Sequence, residues 1–195
     1  QFFEHGGRAD TFKPLGLARS LSAVLGLGDQ AWPHGCDWDH DGDLDLLVGG
    51  GYGWPRIVIN DGTNARPAYR EPQPILADGA PIRITRNQVL GTQNWHDMGY
   101  PYPAFVDWDG DALPDLMLAN ETNRIFWHQN LGTREQPRFG PQRQLLCDGF
   151  TDSPELRTQS ARLADDPQTP RAPYPSEKDQ AFHWRTGPAF ADFNA

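Results

Sequence analysis

The amino-acid sequence predicts an all-β fold, and more narrowly a β-propeller fragment with about two full four-stranded antiparallel blades and partial blades at both ends. An acidic nine-residue pattern begins at positions 37 and 107, and a third, incomplete copy begins at position 192, so the copies start 70 and then 85 residues apart. Short apolar runs of strand length flank each full copy, four to a period. The 20 Gly, 18 Pro and 7 Trp favour short strands and turns over helices. Four strands in each period indicate propeller blades.

The elements can be assigned in chain order because the two full copies share one series of features. Each has an apolar run, the acidic loop, two further apolar runs, a Gly-Thr segment followed by Pro and an aromatic residue, and a last strand. The run at 11–17 resembles such a last strand. The predicted organisation is the end of a preceding blade (1–27), a first full blade (28–78), an inter-blade insertion (79–102), a second full blade (103–146), a second insertion (147–185) and the start of a third blade (186–195). We expect the remaining blades to come from the rest of the chain or from other copies.

The acidic loops predict a structural calcium ion in each repeat. Carboxylates at positions one, three, five and nine of a tight loop converge on one point, and calcium takes six to eight oxygen ligands. An EF-hand would carry Glu at position twelve, but Val48 and Leu118 occupy it here, so each loop joins two strands instead of two helices. The predicted metal ligands are Asp37, Asp39, Asp41 and Asp45 in the first loop, Asp107, Asp109, Asp111 and Asp115 in the second, and Asp192 and Asn194 in a partial third site.

These loops, together with the segment Asn-x-Gly-Thr-x-x-x-Pro-x-Phe at 130–139, resemble FG-GAP or VCBS repeats, the units of integrin-α-like calcium-binding propellers. The resemblance implies blades of four antiparallel strands with calcium between the first two. The sequence departs from the pattern in two places. Ala112 replaces the usual Gly, which predicts that the second loop makes its turn in another way and binds calcium more weakly. The Gly-Thr segment of the first copy is interpreted as shifted by one residue at Asp61, which predicts a differently shaped turn.

Charge and composition restrict the partners and the compartment. With 26 acidic and 17 basic residues the net charge is −9, which argues against nucleic acid or an anionic membrane as partner. No run is long and apolar enough to span a bilayer, and no signal peptide is visible in these residues. Calcium loops of modest affinity fill at the millimolar calcium found outside cells, so we expect an extracellular, periplasmic or cell-surface location. Cys36 is predicted to be a buried free thiol.

Candidate ligand-binding residues are predicted on the face opposite the calcium loops, where the enlarged connections of the meander lie. Aromatic faces stack on sugar rings and polar edges bind hydroxyl groups. The alternative for Trp32, Trp95 and Trp184 is a structural role between blades, and Tyr52 and Trp54 are the preferred pair. The full set of candidates is Tyr52, Trp54, Trp95, His96, Tyr100, His183 and Trp184.

Two functions from different classes remain open. The first, which we prefer, is a binding module that recognises a glycan or a cell-surface protein, as the resemblance to integrin-like propellers implies. The second is a polysaccharide lyase, because rhamnogalacturonan lyases are built on similar propellers. A lyase needs a base and a cation or Arg to neutralise the uronate, and His96, Tyr100, His183 and Arg185 have suitable chemistry. No spacing singles out a catalytic set, and calcium surrounded by protein acids is expected to be structural.

Overall fold

A computed structural model describes residues 2–5, 12–16, 30–86, 88, 97–121, 124–145 and 189–190. Within these residues the chain is all-β with antiparallel sheets, as the sequence predicts. No described residue belongs to a helix with the length and hydropathy of a membrane span. The strands are β1 (Phe2–His5), β2 (Phe12–Gly16), β3 (Trp32–Cys36), β4 (Asp45–Gly49), β5 (Arg56–Val58), β6 (Gln73–Pro74), β7 (Leu76–Ala77), β8 (Ala80–Pro81), β9 (Tyr102–Val106), β10 (Asp115–Ala119), β11 (Ile125–His128) and β12 (Arg143–Gln144).

Two four-stranded meanders make up most of the structure. The first sheet has the order β3-β4-β5-β6 and the second β9-β10-β11-β12, with every neighbouring pair antiparallel. Two smaller sheets pair β1 with β2 and β7 with β8. Because a meander reverses direction at each connection, the β3–β4 loop and the β5–β6 turn lie at one end of the first sheet. We call this end of both sheets, which carries the two acidic loops, the acidic end.

Strand β10 shows why the central strands are apolar throughout. All five of its residues, Asp115 to Ala119, are buried, because both faces of the sheet are covered. Leu116 and Leu118 point to one face, and Met117 and Ala119 point to the other, as the two-residue period of a strand requires. The strand β4 repeats this arrangement with Leu47 on one face and Leu46 and Val48 on the other.

One hydrophobic core joins the two meanders. Leu47 of the first sheet and Leu116 and Leu118 of the second belong to the same buried cluster. Trp38, in the first acidic loop, stacks on Phe105 of β9 with ring centroids 4.8 Å apart and contacts Phe139 at 5.6 Å. The two sheets therefore bury apolar faces against each other.

The segment after β6 adds to this shared core. Ile82 and Ile84 fall in the region that the sequence assigns to an insertion, yet both are buried between the sheets. The β7–β8 hairpin contacts the second sheet directly, because Ala77 forms a parallel bridge with Phe139 and the N–H of Asp78 donates to the Phe139 carbonyl at 3.1 Å. The segment 75–84, which crosses the predicted border between the first blade and the insertion, is a structural link between the sheets.

Cys36 is a buried free thiol, as predicted. Burial, reinforced by the nearby carboxylates of Asp45 and Asp37, raises the pKa of this thiol to about 12. The second cysteine, the second insertion (147–185) and most of the segment 1–27 lie outside the described residues.

Candidate functional site

The two acidic loops have the same backbone course. Each has a left-handed residue at positions four and six, which are His40 (φ 61°) and Gly42 (φ 92°) in the first loop and Gly110 (φ 78°) and Ala112 (φ 70°) in the second. The prediction that Ala112 forces a different turn is therefore wrong. Alanine itself adopts the left-handed conformation, at a cost that glycine does not have.

Three carboxylates converge in each loop. Oxygen atoms of Asp37, Asp39 and Asp45 lie within 4.8 Å of one another, and those of Asp107, Asp109 and Asp115 form the same group in the second loop. Aspartates at the fifth position, also predicted as ligands, are outside these groups. Their side chains close local turns: Asp41 Oδ1 accepts from the N–H of Asp43, and Asp111 Oδ1 accepts from the N–H of Leu113, both at 2.8 Å.

The ninth-position aspartates anchor the loops to the sheets. Asp45 is fully buried and accepts from the backbone N–H groups of Trp38 at 2.8 Å and Asn60 at 2.7 Å. Asp115 accepts in the same way from Trp108 at 3.2 Å and Asn130 at 2.7 Å. Burial raises the pKa of both carboxyl groups, and these hydrogen bonds oppose the rise. Each of these aspartates therefore links its loop to the segment that follows the third strand of the same sheet.

Two asparagines with no assigned role in the sequence analysis complete this connection. Asn60 Oδ1 accepts from the N–H groups of Gly62 and Ala68, and Asn130 Oδ1 accepts from those of Gly132 and Arg138. Their amide groups donate to the carbonyl oxygens that precede the anchoring aspartates, those of Leu44 and Pro114. The predicted one-residue shift between the repeats is therefore wrong. Asn-x-Gly-Thr begins at Asn60 and Asn130, and the two turns have the same hydrogen bonds.

In the first loop, two buried carboxylate oxygens have no hydrogen-bond donor in the described part of the chain. Asp37 Oδ1 and Asp39 Oδ1 are buried atoms without a hydrogen-bond partner among the described residues. Burial, and then the neighbouring charge of Asp41, raise the pKa of Asp39. Buried carboxylate oxygens without donors are costly unless a cation neutralises them, so this donor set fits a hard divalent ion.

In the second loop, protein donors occupy the carboxylates. Asp107 accepts from the N–H of Gly110 at 2.8 Å and from that of Ala112 at 3.0 Å. Gln129 donates to Asp109 Oδ2 at 2.7 Å. A cation entering this loop competes with those contacts, whereas the first loop presents two oxygens without competitors.

Side chains from both sheets hold the first loop in place. Asn64 accepts from the N–H of Leu44 at 2.7 Å and donates to the Gly42 carbonyl at 3.1 Å. Arg134, from the turn after β11, donates to His40 Nδ1 at 3.1 Å, so the second sheet touches the loop of the first.

At the opposite end, a glycine-rich connection between β4 and β5 carries the preferred aromatic pair. Tyr52 and Trp54 are 57% and 37% exposed. The predicted candidate Tyr100, by contrast, is buried at 6% exposure and presents no open ring face. Trp32 packs edge-on against Tyr102 at 4.9 Å, a contact between the first strands of the two sheets.

The remaining candidates lie outside the described residues. For the lyase hypothesis, three of the four candidate residues are outside the described part of the chain and the fourth, Tyr100, is buried, so the hypothesis stays a prediction. Close in the sequence to the predicted partial third site, Phe190 contacts Trp108 edge-to-face with ring centroids 5.9 Å apart, whereas Phe105 stacks on Trp38. The predicted candidates that lie outside the described residues are Trp95, His96, His183, Trp184, Arg185, Asp192 and Asn194.

A scan against protein-family models and searches of curated proteins and of solved structures found no match to this chain.

Proposed function

We propose that this chain is a segment of a calcium-stabilised β-propeller that acts as an extracellular or cell-surface binding module, with a glycan or a protein as its ligand. In this proposal, a structural metal lies at the acidic end and a binding surface lies at the opposite end. The chain resembles FG-GAP and VCBS repeats in its acidic loops and in the Asn-x-Gly-Thr segments that follow them.

The main support for this proposal is that the same hydrogen bonds recur in the two loops. In both copies a buried aspartate accepts from two backbone N–H groups, and an asparagine 15 residues later links the loop to a turn. A single acidic turn could arise without a function, but the same three converging carboxylates recur with the same supports. Converging carboxylates repel one another, and the attraction of each carboxylate to a divalent cation between them offsets that repulsion.

The bound cation would be structural. Asp37, Asp39 and Asp45 would hold it in the first loop, and Asp107, Asp109 and Asp115 in the second, with Asp41 and Asp111 beside them. The ion would supply positive charge at the centre of the loop and fix the turn between the first two strands of each sheet. Because Asp45 and Asp115 also accept from the backbone just beyond the third strand of each sheet, fixing the loops would stiffen the sheets.

Thermal unfolding in calcium and in chelator tests the metal. A ligand present at about 100 times its dissociation constant stabilises the folded state by about 2.7 kcal/mol, so the native protein should melt at a higher temperature in about 1 mM calcium than in EGTA. Magnesium should give a smaller rise because it needs a tighter octahedral site.

Matched variants separate the metal from general charge effects. Asp39→Asn should remove most of the calcium-dependent rise, because it removes a carboxylate from the first loop. Asp78→Asn removes an exposed acid from the β7–β8 turn and should leave the rise intact. Equal melting temperatures in calcium and EGTA for the native protein would refute the structural metal.

A further inference from the structure

The connection between β4 and β5 is held rigidly. Within it the N–H of Gly53 donates to the Gly50 carbonyl at 3.0 Å, and the Gly53 carbonyl accepts from Ile84 at 3.0 Å. The Gly51 carbonyl accepts from Gly99 at 2.8 Å. Glycine is required at position 53, since a Cβ there would collide with the Ile84 carbonyl. The segment therefore presents its side chains from a fixed backbone.

An arginine contacts both aromatic residues of this connection, through the ring of Trp54 and the backbone carbonyl of Tyr52. The Arg83 guanidinium carbon is 5.1 Å from the centroid of the Trp54 ring, and Arg83 Nε donates to the Tyr52 carbonyl at 3.3 Å. Stacking on the ring and the bond from Nε orient the guanidinium plane. No carboxylate of the described part of the chain forms an ion pair with Arg83.

This arrangement selects for a particular ligand chemistry. Arginine presents a planar set of donors that matches carboxylate, phosphate and sulfate groups, and a fixed guanidinium loses less conformational entropy when it binds them. Exposed aromatic rings next to it supply flat apolar surface for a sugar ring. The acidic loops that give the chain much of its negative charge lie at the other end of the sheet. An anionic ligand would therefore bind Arg83 away from these carboxylates.

We propose that Tyr52, Trp54 and Arg83 form a subsite for an anionic saccharide, in which the aromatic side chains pack against a sugar ring and the free edge of the Arg83 guanidinium binds its carboxylate or sulfate. This inference rests on the binding function proposed above and names the class of its ligand. Sugar carboxylates and sulfate esters share the required chemistry, and the choice of probes distinguishes them.

Isothermal titration calorimetry with defined probes in calcium tests the subsite. The probes are an oligogalacturonate, the same oligomer with its carboxyl groups methyl-esterified, dextran sulfate and uncharged dextran. The native protein should bind the oligogalacturonate or the dextran sulfate, and it should bind the uncharged counterpart at least tenfold more weakly. Binding of one anionic probe alone assigns the anion as carboxylate or as sulfate.

Variants assign the binding to the named residues. Arg83→Ala should weaken binding of the anionic probe by about tenfold or more, and Arg83→Lys should restore only part of it because lysine lacks the planar donor set. Tyr52→Ala and Trp54→Ala should also weaken binding. Arg66→Ala, at an exposed position by the β5–β6 turn of the acidic end, is the matched control and should bind like the native protein. All four of these side chains are exposed, and the melting temperature of each variant verifies folding.

The outcomes distinguish this inference from the proposed function. Native affinity in Arg83→Ala, or equal affinity for the esterified and free oligomers, would overturn the anionic subsite. If neutral sugars bind and Trp54→Ala abolishes that binding, the module binds carbohydrate but the ligand class is wrong. If no probe binds while calcium still raises the melting temperature, the subsite is refuted and the calcium-stabilised fold stands.

Discussion

Replacing Asn130 by alanine should lower the free energy of unfolding by about 2–4 kcal/mol. The side chain is buried at 2% exposure and makes three well-formed hydrogen bonds. Its Oδ1 accepts from Gly132 at 2.9 Å and from Arg138 at 3.1 Å, and its Nδ2 donates to the Pro114 carbonyl at 3.1 Å. Alanine would leave two backbone donors and one acceptor without partners in a partly buried site.

The magnitude follows from these contacts. A net contribution of about 1 kcal/mol for each hydrogen bond gives about 3 kcal/mol, and burial of the orphaned groups increases it. Urea denaturation measures the change, with the midpoint expected to fall while the m-value stays constant. Asn60→Ala should cost a similar amount, because Asn60 makes the corresponding contacts in the first sheet.

Gln136→Ala is the control for the asparagine substitutions. Gln136 is exposed, and its backbone groups make the turn contacts with Thr133 that survive the substitution. Its loss should stay within about 0.5 kcal/mol. A similarly small loss in Asn130→Ala would show that the turn does not depend on this side chain and would refute the reasoning.

Four further substitutions test backbone strain and pH dependence. Ala112→Gly should stabilise the protein by about 0.5–1 kcal/mol by relieving a left-handed alanine, while Gly42→Ala should destabilise it; equal effects of the same sign in urea denaturation would contradict this. Gly53→Ala should cost about 2 kcal/mol or more, because its new Cβ meets the Ile84 carbonyl; an unchanged melting temperature would disprove the tight contact. Burial lowers the pKa of His128, so the folded state resists protonation and loses stability as pH falls below 6.5. The loss from pH 7.5 to 5.5 is at most about 1.4 kcal/mol, and His128→Asn should reduce it; the same pH dependence in both proteins would exclude His128 as its source.

The strands and loops were predictable because their signals are local. Continuous apolar runs define β4 and β10, and the acids at fixed spacing define the loops between them and the preceding strands. The local turns at Asp41 and Asp111 were less evident. A side chain at the fifth position can either face the centre of the loop or accept from the backbone two residues later, and spacing alone does not decide between them.

Features that depend on distant contacts were not predictable in the same way. Ile82 and Ile84 flank the exposed Arg83, an alternation too short to identify a strand, and the approach of the second sheet explains their burial. Tyr100 resembles a surface aromatic residue by its neighbours, but the chain folds it inward. The one-residue misalignment of the Gly-Thr segments arose because the neighbouring Asp61 and Asn64 also have turn chemistry; the hydrogen bonds of Asn60 fix the correct register.

The bridge between Ala77 and Phe139, together with the shared core, has a consequence for folding. A repeat protein whose units touch only at their borders can lose one unit while the others persist. Here the hairpin that follows the first sheet is paired to the second, and Trp38 is covered by residues of the second sheet. Neither sheet can open without exposing apolar surface on the other. The two should therefore unfold in a single cooperative transition, and a cation held by the first loop would protect the second sheet as well.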